Sequence, residues 1–236
     1  MKGILNAHKY LVITLAIVIS LAFLSSAQAL QVTLWDGTNA PLTVADGDLN
    51  DSNSATGYVT YIGNYGTFVM NVTTGSSKPG IGSANVPMMD INSFETSSSS
   101  GGTIQVSVSD NGFGPMNAGL SGFHIEYSGT TPGTVSGAVY WDDTDALYDP
   151  LTGAGTQHLI SSLPAQTGSF GVEDNPAGIP ANSPFSLTMI ATITHTGAQF
   201  TSLDFSLVPT PEPGTILLVG LGLLGLGIIG RKKMEV

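Results

Sequence analysis

An all-β chain folded as an antiparallel β-sandwich is what this sequence predicts, on three observations. No long helical pattern occurs between Leu30 and Val208. Ser and Thr supply 45 of the 181 residues from 30 to 210, among frequent Gly, Pro, Asn and Asp, a composition of short strands and turns. Apolar residues also recur at every second position in several short runs, the period of a strand with one buried face. Nine or so such strands at short spacing, with no helices to cross between them, pair antiparallel in two layers. A jelly-roll order is open, because periodicity does not specify topology.

The chain opens with a different element. Lys2, His8 and Lys9 make a basic start, Leu11 to Leu24 is apolar apart from Thr14 and Ser20, and Ala27-Gln28-Ala29 has the small-x-small form of a cleavage site. These are the three parts of a secretory signal helix over residues 1–29. Cleavage at Ala27 and Ala29 would start the mature chain near Leu30.

The body follows over residues 30–208, with strands predicted at Leu30 to Trp35, Tyr58 to Ile62, Thr67 to Val72 and Pro87 to Asn92. Gly63-Asn64-Tyr65-Gly66 reads as the hairpin turn between the second and third of these, since Gly and Asn accept positive φ. Ser97 to Gly102 reads as a flexible loop. In the next strand Ile104, Val106 and Val108 share one face, and Gly122 to Tyr127 and Thr134 to Trp141 follow as two further strands. Asp149 to Pro184, with five prolines, reads as either an insertion or two ragged edge strands; Leu163-Pro164-Ala165-Gln166-Thr167-Gly168 within it reads as a loop. Leu187, Met189, Ala191 and Ile193 then share a face, as do Leu203, Phe205 and Leu207 in the last strand.

The end of the chain, residues 209–236, is again distinct. Pro211-Glu212-Pro213 leads into an apolar run, Thr215 to Gly230, and then into Arg231-Lys232-Lys233. Sixteen residues of helix span roughly 24 Å at 1.5 Å per residue, slightly less than a ~30 Å hydrocarbon core, which suits a temporary single transmembrane helix. The basic residues would stay in the cytoplasm. Gly220 to Gly230 twice matches G-x-G-x-x-G, but a dinucleotide site needs a preceding strand and an acidic residue about 20 positions on, and too few residues follow.

Pro211, Glu212 and Pro213 with the basic tail Arg231, Lys232 and Lys233 resemble the PEP-CTERM sorting signal of exported bacterial proteins. The hairpin sequence from Ile193-Thr194-His195-Thr196-Gly197 to Val208 is similar to the one that precedes this signal in many such proteins. The resemblance implies an exosortase of Gram-negative envelopes as processing partner, transient anchoring in the inner membrane, and delivery to the cell surface or extracellular matrix.

Chemistry is sparse. With no cysteine, disulfides and thiolate chemistry are excluded. Asp46, Asp48 and Asn50 alternate as the first ligands of a calcium loop do, but Asp51 stands where the sharp turn needs Gly and Gly57 where a bidentate Glu belongs. An EF-hand is excluded; a loop calcium site and a solvated acidic turn are the alternatives. Asp142, Asp143, Asp145 and Asp149 form a second acidic cluster. His124 and Glu126 share a strand face, the placement of either an acid-base pair or two ordinary surface residues. Trp35, Tyr140, Trp141 and Tyr148 are candidates for a sugar-stacking platform, with core packing the alternative for the two tryptophans.

Residues 30–210 carry fifteen Asp and Glu against one base, Lys78, so the surface repels phosphate backbones and nucleic acid is excluded as a partner. The expected protein is exported, non-enzymatic, and structural or adhesive in an exopolysaccharide matrix. A carbohydrate-binding module or glycan-active enzyme on the same fold is the alternative.

Overall fold

The computed structural model describes residues 30–152, 157–179, 184–212, 214 and 218–223. The expected signal segment with Ala27 and Ala29, Pro213, the tail Arg231 to Lys233 and most of the expected helix 215–230 lie outside the described residues. Residues 214 and 218–223 are helical. Among the described residues no helix is long and apolar enough to cross a membrane.

The described chain is mostly antiparallel β-sheet. Its strands are β1 Gln31–Trp35, β2 Leu42–Ala45, β3 Tyr58–Tyr65, β4 Phe68–Ser76, β5 Met89–Ser98, β6 Gly102–Phe113, β7 Leu120–Asp142, β8 Gln157–Asp174, β9 Phe185–His195 and β10 Gln199–Pro211. Hydrogen bonding runs in the order β2-β1-β6-β9-β7-β10-β5-β4-β3, with β8 on the free side of β7.

One strand turns this continuous sheet into two layers. Leu120 to Thr130 of β7 pairs with β10, whereas Thr134 to Asp142 pairs with β9. The corner between them is Thr131-Pro132-Gly133, and a Cβ on Gly133 would overlap the Thr194 carbonyl oxygen. β8 follows β7 around this corner with a register break between Thr131 and Val135, where Gly168 takes φ 73°. One layer is thus β2, β1, β6, β9 and the second half of β7; the other is β3, β4, β5, β10 and the first half. The layers meet across one core. Gly75 of β4 lies so close to Val32 of β1 and Val108 of β6 that a Cβ would come within 3.0 Å of each.

The alternating sets expected from sequence supply that core. Ile104, Val106 and Val108, then Leu187, Met189, Ala191 and Ile193, then Leu203, Phe205 and Leu207 are all buried in one cluster. Each large side chain of this kind contributes about 1.5–3 kcal/mol of transfer free energy. A single ion pair among the described Lys, Arg, Asp and Glu residues pins β6 to the segment after β4. The Lys78 ammonium lies 2.8 Å from buried Asp110 and 4.2 Å from the centre of the Phe113 ring, and the Ser77 hydroxyl donates to the same carboxylate at 2.7 Å.

Several details depart from the expected elements. β2 is not among the expected strands, and of the expected loop Ser97 to Gly102, Ser97 and Ser98 end β5 and Gly102 opens β6. The two strands read at Gly122 and Thr134 are one strand of 23 residues. Gly63 and Asn64 belong to β3, and the turn itself is Gly66-Thr67, closed by the Tyr65–Phe68 pair. The segment from Leu163 to Gly168 is strand, inside β8, not loop. The last strand continues past Val208 to Pro211, into the sorting motif.

Candidate functional site

The end of β10 brings the motif onto the body of the protein. Pro209 pairs with Phe123, Thr210 with Gly122 and Pro211 with Leu120 of β7. One residue further, the Glu212 N–H donates to the Gly119 carbonyl at 2.7 Å. Pro211 and Glu212 are exposed, while Val208 to Thr210 are half-buried.

The outer faces of the two layers differ in chemistry, and register shows why. On the β1–β6–β9–β7 layer, Trp35, Gln105, Thr192 and Ser136 fall on one row, and Gln31, Ser109, Thr188 and Tyr140 on another. Between them lies Thr33, Ser107, Ile190 and Ala138. None of these rows carries a charge. Hydroxyl pairs tie neighbouring strands, Ser109 to Thr188 and Thr103 to Thr194 at 2.9 Å each.

Tyr148 lies across this neutral face. Its N–H donates to the Ser109 hydroxyl at 3.2 Å, its phenol donates to Gln105 Oε1 at 3.0 Å, and its carbonyl accepts from Gln31 Nε2 at 3.0 Å. Burial, with the neighbouring Tyr140 and Asp149 adding to it, raises the phenol pKa against the opposing Gln105 hydrogen bond. Trp35, Tyr140 and Tyr148 therefore share one face. Trp141 does not, because the next residue on a strand points to the opposite side. It stacks on His158 at 4.6 Å and meets Phe185 edge-on at 6.4 Å, at the margin of the core.

The other layer presents acids. Glu173, Glu126, Ser206 and Asp90 occupy one register row, and burial raises the Asp90 pKa, with Asp204 adding to the rise and the Asn92 hydrogen bond opposing it. His124 lies on this face as well, but its Nδ1 is 2.9 Å from Asn175 Oδ1. The Glu126–Glu173 pairing has no signal in one strand's sequence, since it joins residues 47 positions apart by register alone.

The acidic loops serve their own turns. Asp46 accepts from the Gly57 N–H at 2.6 Å, Asp48 from Ala45 at 2.9 Å, and Asp51 from Asn53 and Thr60 at 2.9 Å each. Asp145 accepts from Gly112 at 2.7 Å and Asp149 from Leu151 at 2.9 Å. The second oxygen of Asp142 is buried without a partner. Among the described residues no three His, Cys, Asp or Glu side chains are grouped to hold a metal ion.

What the fold and the end of β10 define is a mostly antiparallel β protein whose last strand runs into a C-terminal signal. That signal is the PEP-CTERM protein-sorting motif, which matches residues 209–233. The chain carries this motif, and the motif marks it as exported. No curated protein matches the sequence. Among solved structures, TmCBM61 in complex with β-1,4-galactotriose is similar at 9% identity and TM-score 0.33, over 64% of this chain and 92% of that one. The CBM22-1 xylan-binding domain of Paenibacillus barcinonensis Xyn10C is similar at 8% and 0.31, over 67% and 88%. The K1 cleaved adhesin domain of Lys-gingipain from Porphyromonas gingivalis W83 is similar at 13% and 0.26, over 77% and 90%. Likeness of this depth bears on neither ligand nor activity.

Proposed function

We propose that the protein is an exosortase substrate, held for a time in the inner membrane, cut within or beside Pro211-Glu212-Pro213, and left at the cell surface or in the extracellular matrix as a structural or adhesive component without catalysis. The observation that carries this reading is the sorting motif at residues 209–233, whose first residues, Pro209 to Pro211, are the end of the final strand of the domain. Intact-mass measurement of the released species tests it. The expected product begins near Leu30 and ends near Pro211 to Pro213; a released protein that keeps Lys232 and Lys233 sinks it.

The neutral face of Trp35, Tyr140 and Tyr148 supports an adhesive role toward uncharged polysaccharide. Aromatic rings supply apolar stacking area, and the half-exposed Ser136 and Thr192 on the Trp35 row supply hydroxyl groups for hydrogen bonds without the desolvation of a charge. The acidic face on the other layer repels anionic polymers and stays solvated. Retention on insoluble neutral glucan, galactan or xylan should fall at least tenfold in Trp35→Ala. Equal retention of Trp35→Ala and a control on the acidic face, Glu126→Ala, would rule this face out.

A further inference from the structure

We infer that the folded domain keeps the sorting motif latched in its own sheet, and that processing waits for the segment from Val208 to Glu212 to peel away from β7. This rests on reading the motif as a processing signal, and it adds what sets the rate at which the motif becomes available.

The latch is visible in three features of the last rungs. Up to Leu207, β10 is held on both sides; its pairing with β5 ends at Leu207–Met89, whereas its pairing with β7 goes on to Pro211. Beyond Leu207 the strand is therefore an edge strand held by one neighbour. No fully buried side chain follows Leu207 on it.

The prolines fit that edge by phase. The Phe123 N–H donates to the Pro176 carbonyl at 3.2 Å, away from β10, so the Phe123–Pro209 pair is a non-hydrogen-bonded one. The nitrogen of Pro209 then faces the open side, and that of Pro211, two residues on, does the same. Neither proline removes a bond to β7, and both withhold from the open side the N–H groups that another strand would need. Thr210 and Glu212 have the opposite phase and direct their N–H groups at β7, as the Glu212 to Gly119 bond shows.

The third feature is a clamp behind the rung. A β-bulge in β7 between Leu120 and Gly122 sets the register of the final pair. On the far side, the Gly178 N–H donates to the Ser121 carbonyl at 2.5 Å. Gly122 sits between the two, where a Cβ would come 2.7 Å from the Pro176 carbonyl oxygen and 3.1 Å from the Thr210 hydroxyl. Only a residue without a side chain lets the motif strand and the Pro176 to Gly178 segment close on β7 together.

Two variants, one insertion and one substitution, separate release from reach. Inserting Gly-Ser-Gly-Ser between Val208 and Pro209 frees the motif from the register and lengthens the chain, while Gly122→Val opens the clamp at unchanged length. In a host that carries the exosortase, pulse-chase conversion of the full-length protein should be at least tenfold faster for both. Amide hydrogen exchange of the full chain in detergent reads the latch without the enzyme. Thr210 and Glu212 should be protected in the natural sequence and exchange at least tenfold faster in both variants, with the core strands unchanged. Acceleration by the insertion alone would make reach the limiting step and overturn the latch, as would unprotected amides in the natural sequence. A natural chain that is never processed refutes the sorting reading instead, and the exchange result stands apart from it.

Discussion

His195 shows how a single buried polar residue is satisfied here. The Ser98 hydroxyl donates to the Gly197 carbonyl at 2.9 Å, so at 2.8 Å from Nδ1 it must accept, and Nδ1 carries the proton. Nε2 then accepts from Thr201 at 2.8 Å, Thr201 accepts from Thr131 at 2.6 Å, and Thr131 accepts from the Gly133 N–H at 3.1 Å. Every proton in the chain has one place, and the imidazole is neutral. Burial holds the His195 pKa below its ordinary 6.5. The unfolded chain therefore takes up a proton at a pH where the folded one does not, and the site's stabilisation is complete above that ordinary value and drains away as pH falls below it. Between pH 7.5 and 5 the melting temperature should fall, and His195→Asn should flatten that slope; an unchanged slope would remove His195 as its source. Tyr127 is the opposite case. It packs between Phe170 and Phe205 with a fully buried hydroxyl that has no partner, and burial pushes its pKa well up. Deleting that oxygen relieves a desolvation penalty, so Tyr127→Phe should gain about 1 kcal/mol, read as a higher urea midpoint at constant slope. Neither environment is legible in sequence. His195 stands in a recognisable hairpin, but Ser98 reaches it from 97 positions away and Thr131, 64 positions away, acts on it through Thr201.

Elements are legible in proportion to how regularly apolar and polar side chains alternate along them. β6 and β9 send one clean apolar set to the core and mostly hydroxyl side chains, several of them also buried, to the other face, and their sequences announce it. β8 does not, because it is an edge strand lying along the outside of β7, half-exposed or exposed at most positions, so no alternation is imposed on it and its one proline and two glycines read as loop. β7 was legible as two strands because the corner between its halves breaks the pattern at Pro132 and Gly133. That corner decides the architecture, since it passes one strand from one layer to the other. Gly133→Ala would drive a methyl group into the Thr194 carbonyl and should cost roughly 2–3 kcal/mol in denaturant unfolding. Gly171→Ala, on the outer strand with open space around it, should stay within about 0.5 kcal/mol. Equal effects at the two glycines would mean that the corner is soft.

At the scale of the whole molecule, the sheet and the sorting signal share a strand. Proline-rich Val208-Pro209-Thr210-Pro211 suggests in sequence a spacer after a domain that stops at Val208, because proline is a poor interior strand residue. Only register reveals that these prolines have their nitrogens on the open edge, where a strand tolerates them. Ending the domain at either place makes a quantitative difference. A chain of residues 30–212 keeps the Thr210 and Glu212 donors on β7; a chain of 30–208, which retains the Val208–His124 pair, leaves Gly119 and Gly122 unpaired on that side while losing no core side chain. Two main-chain hydrogen bonds at about 0.5–1.5 kcal/mol each put the difference at roughly 1–3 kcal/mol. Urea unfolding of the two chains should show the shorter one less stable by that amount with nearly the same slope, because little apolar surface changes hands. The size also bears on release, since a hold of 1–3 kcal/mol keeps the last rungs closed for most of the time yet lets them open without unfolding the core. Identical stabilities would mean that the rungs past Val208 contribute no hold, and a loss several times larger would mean that the body of the domain depends on its sorting signal.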